Sequence, residues 1–396
     1  MKRPIFIIVG TVVVILLLAV WAYILFFSTP KTDNGQFTAL NIDGNTESVI
    51  DTSATGTEPI VNVISDKKLI QLTTKPTAGY RELITTGSSS SIVMYIKSGT
   101  GNIGSIDLTT GEERDITTTT INFARQGEIT GDGKFVMVQS ESGNKKDTVV
   151  GTINDNDHTL TLVTIDEQVV SFKALDSTFL YAVRSGSSVV GKEYNPTTNT
   201  SKNLFTIPFI EAAIVWGNSA TDVHYAYPKA SSQLEGYAYL IQNGKVQRQP
   251  ISGYGLSMYG NSKFLVYSIR TPKIYQSYLY DMETKLVTPT SFTFIPEKCT
   301  SSKTKKSVFI CGEDSTTYSQ SVPDTWYQGV TAFSDMLWEL DINANTINLL
   351  SDVSKESGRG IDIIDTSLNA PENHVYFINK NDQTLWLYKR DIKVGN

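Results

Sequence analysis

The chain has 396 residues, with 34 Lys and Arg against 40 Asp and Glu, a formal net charge of −6, and 40% hydrophobic residues. It is long enough for a large core or one repeat-built domain. Its charge balance argues against a nucleic-acid partner, which would need a basic patch, and its two cysteines, Cys299 and Cys311, are too few ligands for a structural zinc site.

Residues 5–27 form an uncharged apolar run of 23 residues directly behind Lys2 and Arg3. A helix of that length is about 34 Å long, enough to cross a hydrocarbon core of about 30 Å. Lys2 and Arg3 favour a short cytoplasmic N-terminus at residues 1–4, while Trp21 and Tyr23 stand near the far end, where amphipathic rings meet headgroups. The run is longer than the apolar core of a cleaved signal, and neither Ala19-Val20-Trp21 nor Ala22-Tyr23-Ile24 offers a small-x-small site. The expectation is therefore a single-pass plasma-membrane anchor, contacting the lipid bilayer through residues 5–27, with the rest of the chain extracytoplasmic. Without Lys2 and Arg3 the exterior part keeps 32 basic against 40 acidic residues, a formal charge of −8. Residues 28–59, rich in Thr, Asn, Asp, Gly and Ser, read as a polar spacer with a local hairpin at 37–42.

Residues 60–396 read as the domain. After two short strand candidates, 68–72 and 79–84, one unit recurs: an apolar strand, a polar connection, an alternating strand, then Gly, Asn or Asp before another short strand. Its copies begin near Ser91, Lys134, Thr178, Asp222, Lys263, Ser307 and His374. Period-two patterning and high Thr, Val, Ile and Tyr content favour strands over helices. A repeat of about 40–45 residues with four short strands is the length of a propeller blade. The fold expected is all-β, a seven-bladed β-propeller, with six or eight blades as alternatives because residues 208–222 and the stretch after Leu350 are ambiguous. Each copy then starts the second strand of a blade, and residues 107–112 turn between a third and a fourth. The last copy lacks a fourth strand, which residues 68–73 can supply, closing the ring and hiding two sheet edges. Cys299 and Cys311 each lie six residues from Lys305, so a turn centred there sets them opposite one another in a hairpin, within disulfide reach.

The segments IPEKC at 295–299, VFIC at 308–311 and VPDTWYQGVTAFSDMLWELD at 322–341, behind an anchor, resemble membrane-tethered propeller proteins of small-genome candidate-phyla (Parcubacteria-like) bacteria, distantly WD40-like and TolB-like. The resemblance covers residues 68–392 and implies architecture and envelope placement, with no activity attached. The blades lack the repeated Gly-His and Trp-Asp dipeptides of strict WD40 repeats.

The long connection 313–332 carries Tyr318, Trp326 and Tyr327 with Asp324 among them. These four are the candidate binding residues, because a loop held by rigid sheets presents ring surface at low ordering cost. The competing reading folds Trp326 and Tyr327 back over the sixth blade; Phe333 and Trp338 are read as packing residues. No catalytic or metal site is assigned. His158, His224 and His374 are dispersed, GYGLSMYG at 253–260 is not a nucleophile elbow, and GDGK at 131–134 is a turn rather than a phosphate loop. Asn154 to Asp157 reads as a polar turn, and no cofactor follows. The function expected is a non-catalytic binding or scaffold module whose partner is a protein or cell-envelope polymer. The alternative is a carbohydrate- or peptide-processing envelope hydrolase using dispersed acidic residues on the propeller face.

Overall fold

Period-two patterning is expressed as antiparallel strands throughout the domain. The computed structural model of the protein describes residues 67–84, 91–314 and 321–391, all within the unit Pro59–Asn396. The expected anchor, spacer and Tyr318 lie outside the described residues. No helix among the described residues is long and apolar enough to cross a membrane.

In chain order the first sheet holds Thr77–Ile84, Ser91–Lys97, Ile103–Asp107 and Glu113–Asp115. The second holds Ala124–Ile129, Phe135–Ser142, Lys145–Asn154 and Thr159–Ile165. The third holds Val169–Ala174, Phe179–Ser185, Ser188–Asn195 and Thr200–Ile207. A seven-stranded sheet follows: Ala212–Val215, His224–Pro228, Glu235–Gln242, Lys245–Gly260, Phe264–Arg270, Tyr275–Asp281 and Val287–Pro289. Next come Cys299–Ser301, Val308–Glu313, Met336–Asp341 and Thr346–Ser351. The last sheet orders Ile363–Leu368, His374–Asn379 and Leu385–Lys389, with Leu69–Gln71 at its outer edge.

The strand Lys245–Gly260 explains why one sheet is double length. Its first part pairs with Glu235–Gln242 and its second with Phe264–Arg270, Tyr254 facing partners on both sides. Each repeat copy starts within two residues of the second strand of a four-strand group, as its pattern implies. Leu69–Gln71 pairs with Leu385–Lys389, in register Leu69 to Tyr388 and Gln71 to Trp386.

Apolar side chains collect between neighbouring sheets. Met94, Ile96 and Ile103 of the first sheet meet Ile129, Val136 and Val138 of the second. Val93, Tyr95 and Ile106 of the first meet Tyr376, Ile378, Leu385 and Leu387 of the last, so the series of sheets closes on itself. Gly79 and Gly127 stand where two innermost strands touch: a Cβ at Gly79 would lie 1.8 Å from the Gly127 carbonyl oxygen, so no larger residue fits.

The third-to-fourth-strand turns share a rule. Asp107, Asn195 and Asp281 each accept two backbone N–H bonds from the following residues through one side-chain oxygen. Four residues after each, Gly111, Asn199 and Lys285 adopt positive φ, as do His158 and Asn345 in the matching turns after Asn154 and Asp341. His158 is thus a turn residue.

Cys299 and Cys311 are direct register partners and form a disulfide across a 12-residue separation. Replacing both by Ser is expected to lower stability by roughly 2–3 kcal/mol through loop entropy returned to the unfolded chain. Denaturant unfolding of oxidised wild type and double variant checks this, and equal midpoints would overturn it.

Candidate functional site

Behind the aromatic connection lies a central cavity of about 1130 Å³, lined from every sheet. Residues 321–333 form a strap whose Tyr327 lines it. Asp324 accepts from Ser232 N at 3.0 Å and from the Ser232 hydroxyl, tying the strap to the loop before Glu235–Gln242. Pro323 lies against Gly255, whose Cβ, if present, would meet Pro323 Cδ at 2.9 Å. Tyr327 donates its hydroxyl to Glu297, which also receives Tyr227 at 2.9 Å. Burial raises the Glu297 carboxyl pKa against the pull of both hydroxyls and holds Tyr227 and Tyr327 as neutral phenols.

Trp326 is 3% exposed and packs with Ile295, Val322, Phe333 and Tyr275. Its Nε1 donates to both Asp362 oxygens, at 3.1 and 3.0 Å, and Lys380 Nζ donates to its carbonyl at 2.8 Å. Of the two readings of Trp326, its burial fits the one that folds it back over the blade: an indole with an apolar cluster on its faces and a carboxylate at its N–H gains more from burial than from solvent. Tyr327 is half-buried and faces the cavity, and Asp324 is engaged within the fold. Phe333 is buried, and Trp338 packs beside Phe292. The motif segments thus form one assembly, with Ile295, Glu297 and Lys298 receiving the strap.

The cavity also gathers charge that sequence reasoning missed. Arg81, Glu128 and Lys173 sit on the innermost strands of the first three sheets, Asp365 on that of the last, and Lys303 follows Cys299–Ser301. Gly131 makes room for two of the polar groups: a Cβ there would lie 2.8 Å from Asp176 Oδ1 and 3.0 Å from an Arg81 terminal nitrogen. Lys173 Nζ donates to the carbonyls of Trp216 (3.4 Å) and Gly217 (3.0 Å) and to Asn218 Oδ1 (3.2 Å). Among the described residues the side-chain nitrogens of Arg81 and Lys303 make no ion pair or hydrogen bond. Burial pushes Glu128 up to about 7 and Lys173 down to about 8. Asp365 is solvent-exposed where it opens into the cavity, and partial desolvation by the cavity walls raises its carboxyl too. Its backbone holds φ 49°, beside a register shift. The available signal was a charge within each inner strand, as in TAGYRELI, ARQGEI and VVSFKA.

The raised Glu128 pKa gives a signed expectation. Folded protein holds this proton more tightly than the unfolded chain, so the contribution is full below the ordinary 4.5 and is lost as pH rises through about 7. Glu128→Gln should remove a fall in stability of roughly 1–3 kcal/mol over that window. Urea midpoints across the window check it, and an unchanged slope would count against it.

His224 is buried, accepting from Gly217 N at 2.9 Å through Nδ1, and burial lowers its pKa. His374 lies 3.3 Å from Glu82 at the junction of the last and first sheets. Asn154 to Asp157 form a hairpin end, and no group of three or more metal-binding side chains occurs among the described residues.

No protein-family model matches the sequence, and no functionally curated protein matches it. Solved structures do match. Oligogalacturonate lyase from Vibrio parahaemolyticus aligns at 11% identity and TM-score 0.52, over 85% of this chain and 97% of that one. An oligogalacturonate lyase in complex with manganese gives 10% and 0.52, over 82% and 94%. The β-propeller domain of Cps50 (Swd1) from Myceliophteria thermophila gives 9% and 0.51, over 82% and 100%. The chain is an all-β propeller. At this identity the likeness carries the fold and nothing of activity.

Proposed function

We propose that the chain is a membrane-tethered extracytoplasmic binding module, on the plan of the candidate-phyla group its sequence resembles. With Lys245–Gly260 counted as shared between two blades, the ring has seven. The apolar run at 5–27 supports the tether, and the binding site is the central cavity rather than the aromatic rings of the strap. The observation that carries this reading is the convergence of Arg81, Lys173 and Lys303 with Glu128 and Asp365 in a roomy, strapped cavity. Of these, Arg81 and Lys303, whose side-chain nitrogens have no partner among the described residues, are held ready for a polar ligand, a segment of a protein or of an envelope polymer.

Proximity labelling in the native envelope, with pull-down by the full chain, identifies the partner. Arg81→Ala with Lys303→Ala is expected to reduce capture at least tenfold while leaving the unfolding midpoint in place. Unchanged capture would remove the cavity from the reading. A second reading, carbohydrate processing, is favoured by two cavity carboxyls with raised pKa, Glu128 and Asp365. Turnover of a captured polysaccharide, lost in Glu128→Gln and Asp365→Asn, would support it over simple binding.

A further inference from the structure

Lys298 is enclosed beside the strap. Its side chain is 0% exposed, and Nζ lies 2.6 Å from Asp335 Oδ2 and 2.7 Å from Asp362 Oδ1, both carboxyls also 0% exposed. The rings of Phe333 and Trp326 wall the site, their centroids 4.4 and 5.5 Å from Nζ. The two carboxyls differ. Asp362 is saturated with donors: Trp326 Nε1 bonds both oxygens, and Phe333 N reaches Oδ2 at 3.2 Å. In Asp335, Oδ2 is held by Ile363 N–H at 2.7 Å, while Oδ1 has no hydrogen-bond partner among the described residues. Burial pushes Asp335 up to about 6, against the pull of Lys298.

We propose that Lys298 and Asp335 join spontaneously through an isopeptide bond, with Asp362 as proton carrier. A proton leaves the lysine nitrogen and reaches Asp335 Oδ1 through Asp362. The free amine attacks Cγ of Asp335, and the Ile363 N–H stabilises the charge that develops on Oδ2. Asp362 takes a second proton from nitrogen and delivers it to Oδ1, which departs as water. The Nζ–Cγ bond forms, the Cγ–Oδ1 bond breaks, one hydrogen remains on the amide nitrogen, and Asp362 ends as it began. Nothing is oxidised or reduced. Fixed proximity supplies the attack geometry, and exclusion of solvent opposes hydrolysis of the product.

The chemistry has a physical motive. A buried amine between two buried carboxyls carries a desolvation penalty in every ionised state. Condensation removes one charge of each sign and leaves a neutral amide. The crosslink would tie residue 298, next to the disulfide, to residue 335, where the strap connection enters the following strand.

The test is peptide mapping of the full chain, purified from membranes in detergent, reduced, alkylated and digested with trypsin. The expected result is one species containing residues 286–303 and 307–355, lighter by one water than the two peptides together, with no cleavage after Lys298. Cleavage after Lys298, with residues 307–355 recovered as a free peptide, would overturn the proposal. This readout on wild-type protein does not depend on any variant folding. Asp335→Asn is expected to give the same linked product with loss of ammonia, and Asp362→Asn to leave the peptides separate. A fully linked Asp362→Asn protein would refute the proton-carrier role.

Discussion

Replacing Trp326 by Ala is expected to lower the stability of the domain by about 3–5 kcal/mol, the cost of emptying a large aromatic site in a packed cluster. The indole is nearly fully buried among Ile295, Val322 and Phe333. Its loss also strips Asp362 of the Nε1 donor on both oxygens and takes one ring from beside Lys298 and Lys380. Trp326→Phe separates these effects: it keeps most of the apolar volume but leaves Asp362 short of hydrogen bonds, at about 1–3 kcal/mol. Urea unfolding of the full chain, followed by circular dichroism, orders the three proteins. The Trp326→Ala, Tyr327→Ala double variant then compares the two readings of the connection. Partner capture that falls only in step with the unfolded fraction fits a strap held by packing. Capture lost from a fully folded double variant would restore the contact reading.

Much of the fold was legible because it depends on short-range pattern. A short apolar strand such as SIVMYIK declares itself within its own residues by a β-branched and aromatic run, and Asp107 declares its turn within the next four. The disulfide was legible for the same reason, since both cysteines belong to one hairpin. The double-length sheet was not, because Lys245–Gly260 changes partners midway without a break in strand pattern, and Gly255 absorbs the bend at φ 63°. The site was least legible. Whether Trp326 faces solvent is decided by Asp362 and Lys380, on a different sheet from the two strands the strap joins. Arg81, Glu128, Lys173, Lys303 and Asp365 are far apart in sequence and meet only once the sheets close. For Arg81, Glu128, Lys173 and Asp365 the signal was a charge placed inside an inner strand; Lys303, beyond the end of its strand, carried none.

Closure of the ring rests on three residues, Leu69–Gln71, and removing residues 68–73 is expected to cost several kcal/mol. Leu69 packs with Phe377, Trp386 and Tyr388 between the last sheet and the one before it, whereas Ile70 and Leu72 pack with Leu385 and Leu387 against the first sheet. One short strand therefore seals both faces of the terminal sheet, at roughly 1.5–3 kcal/mol for each apolar side chain fully buried. The backbone losses add to this: Leu72 N donates to the Leu385 carbonyl at 2.8 Å, Lys389 N to that of Lys68 at 2.8 Å, and Leu385 N to Thr73 Oγ1 at 2.9 Å. The exposed Lys68 to Asp391 pair contributes little, since both side chains are more than half in solvent. Without the strand, Leu385–Lys389 becomes an open, apolar edge able to recruit another chain. The deletion should therefore unfold at lower urea and form larger species on size exclusion, with fast amide exchange at Leu385–Lys389. Ile70→Pro, which keeps the chain length and removes one strand N–H, should shift the midpoint in the same direction by a smaller amount. A deletion variant with the wild-type midpoint and slow exchange at Leu385–Lys389 would show that the sheet closes without its N-terminal strand.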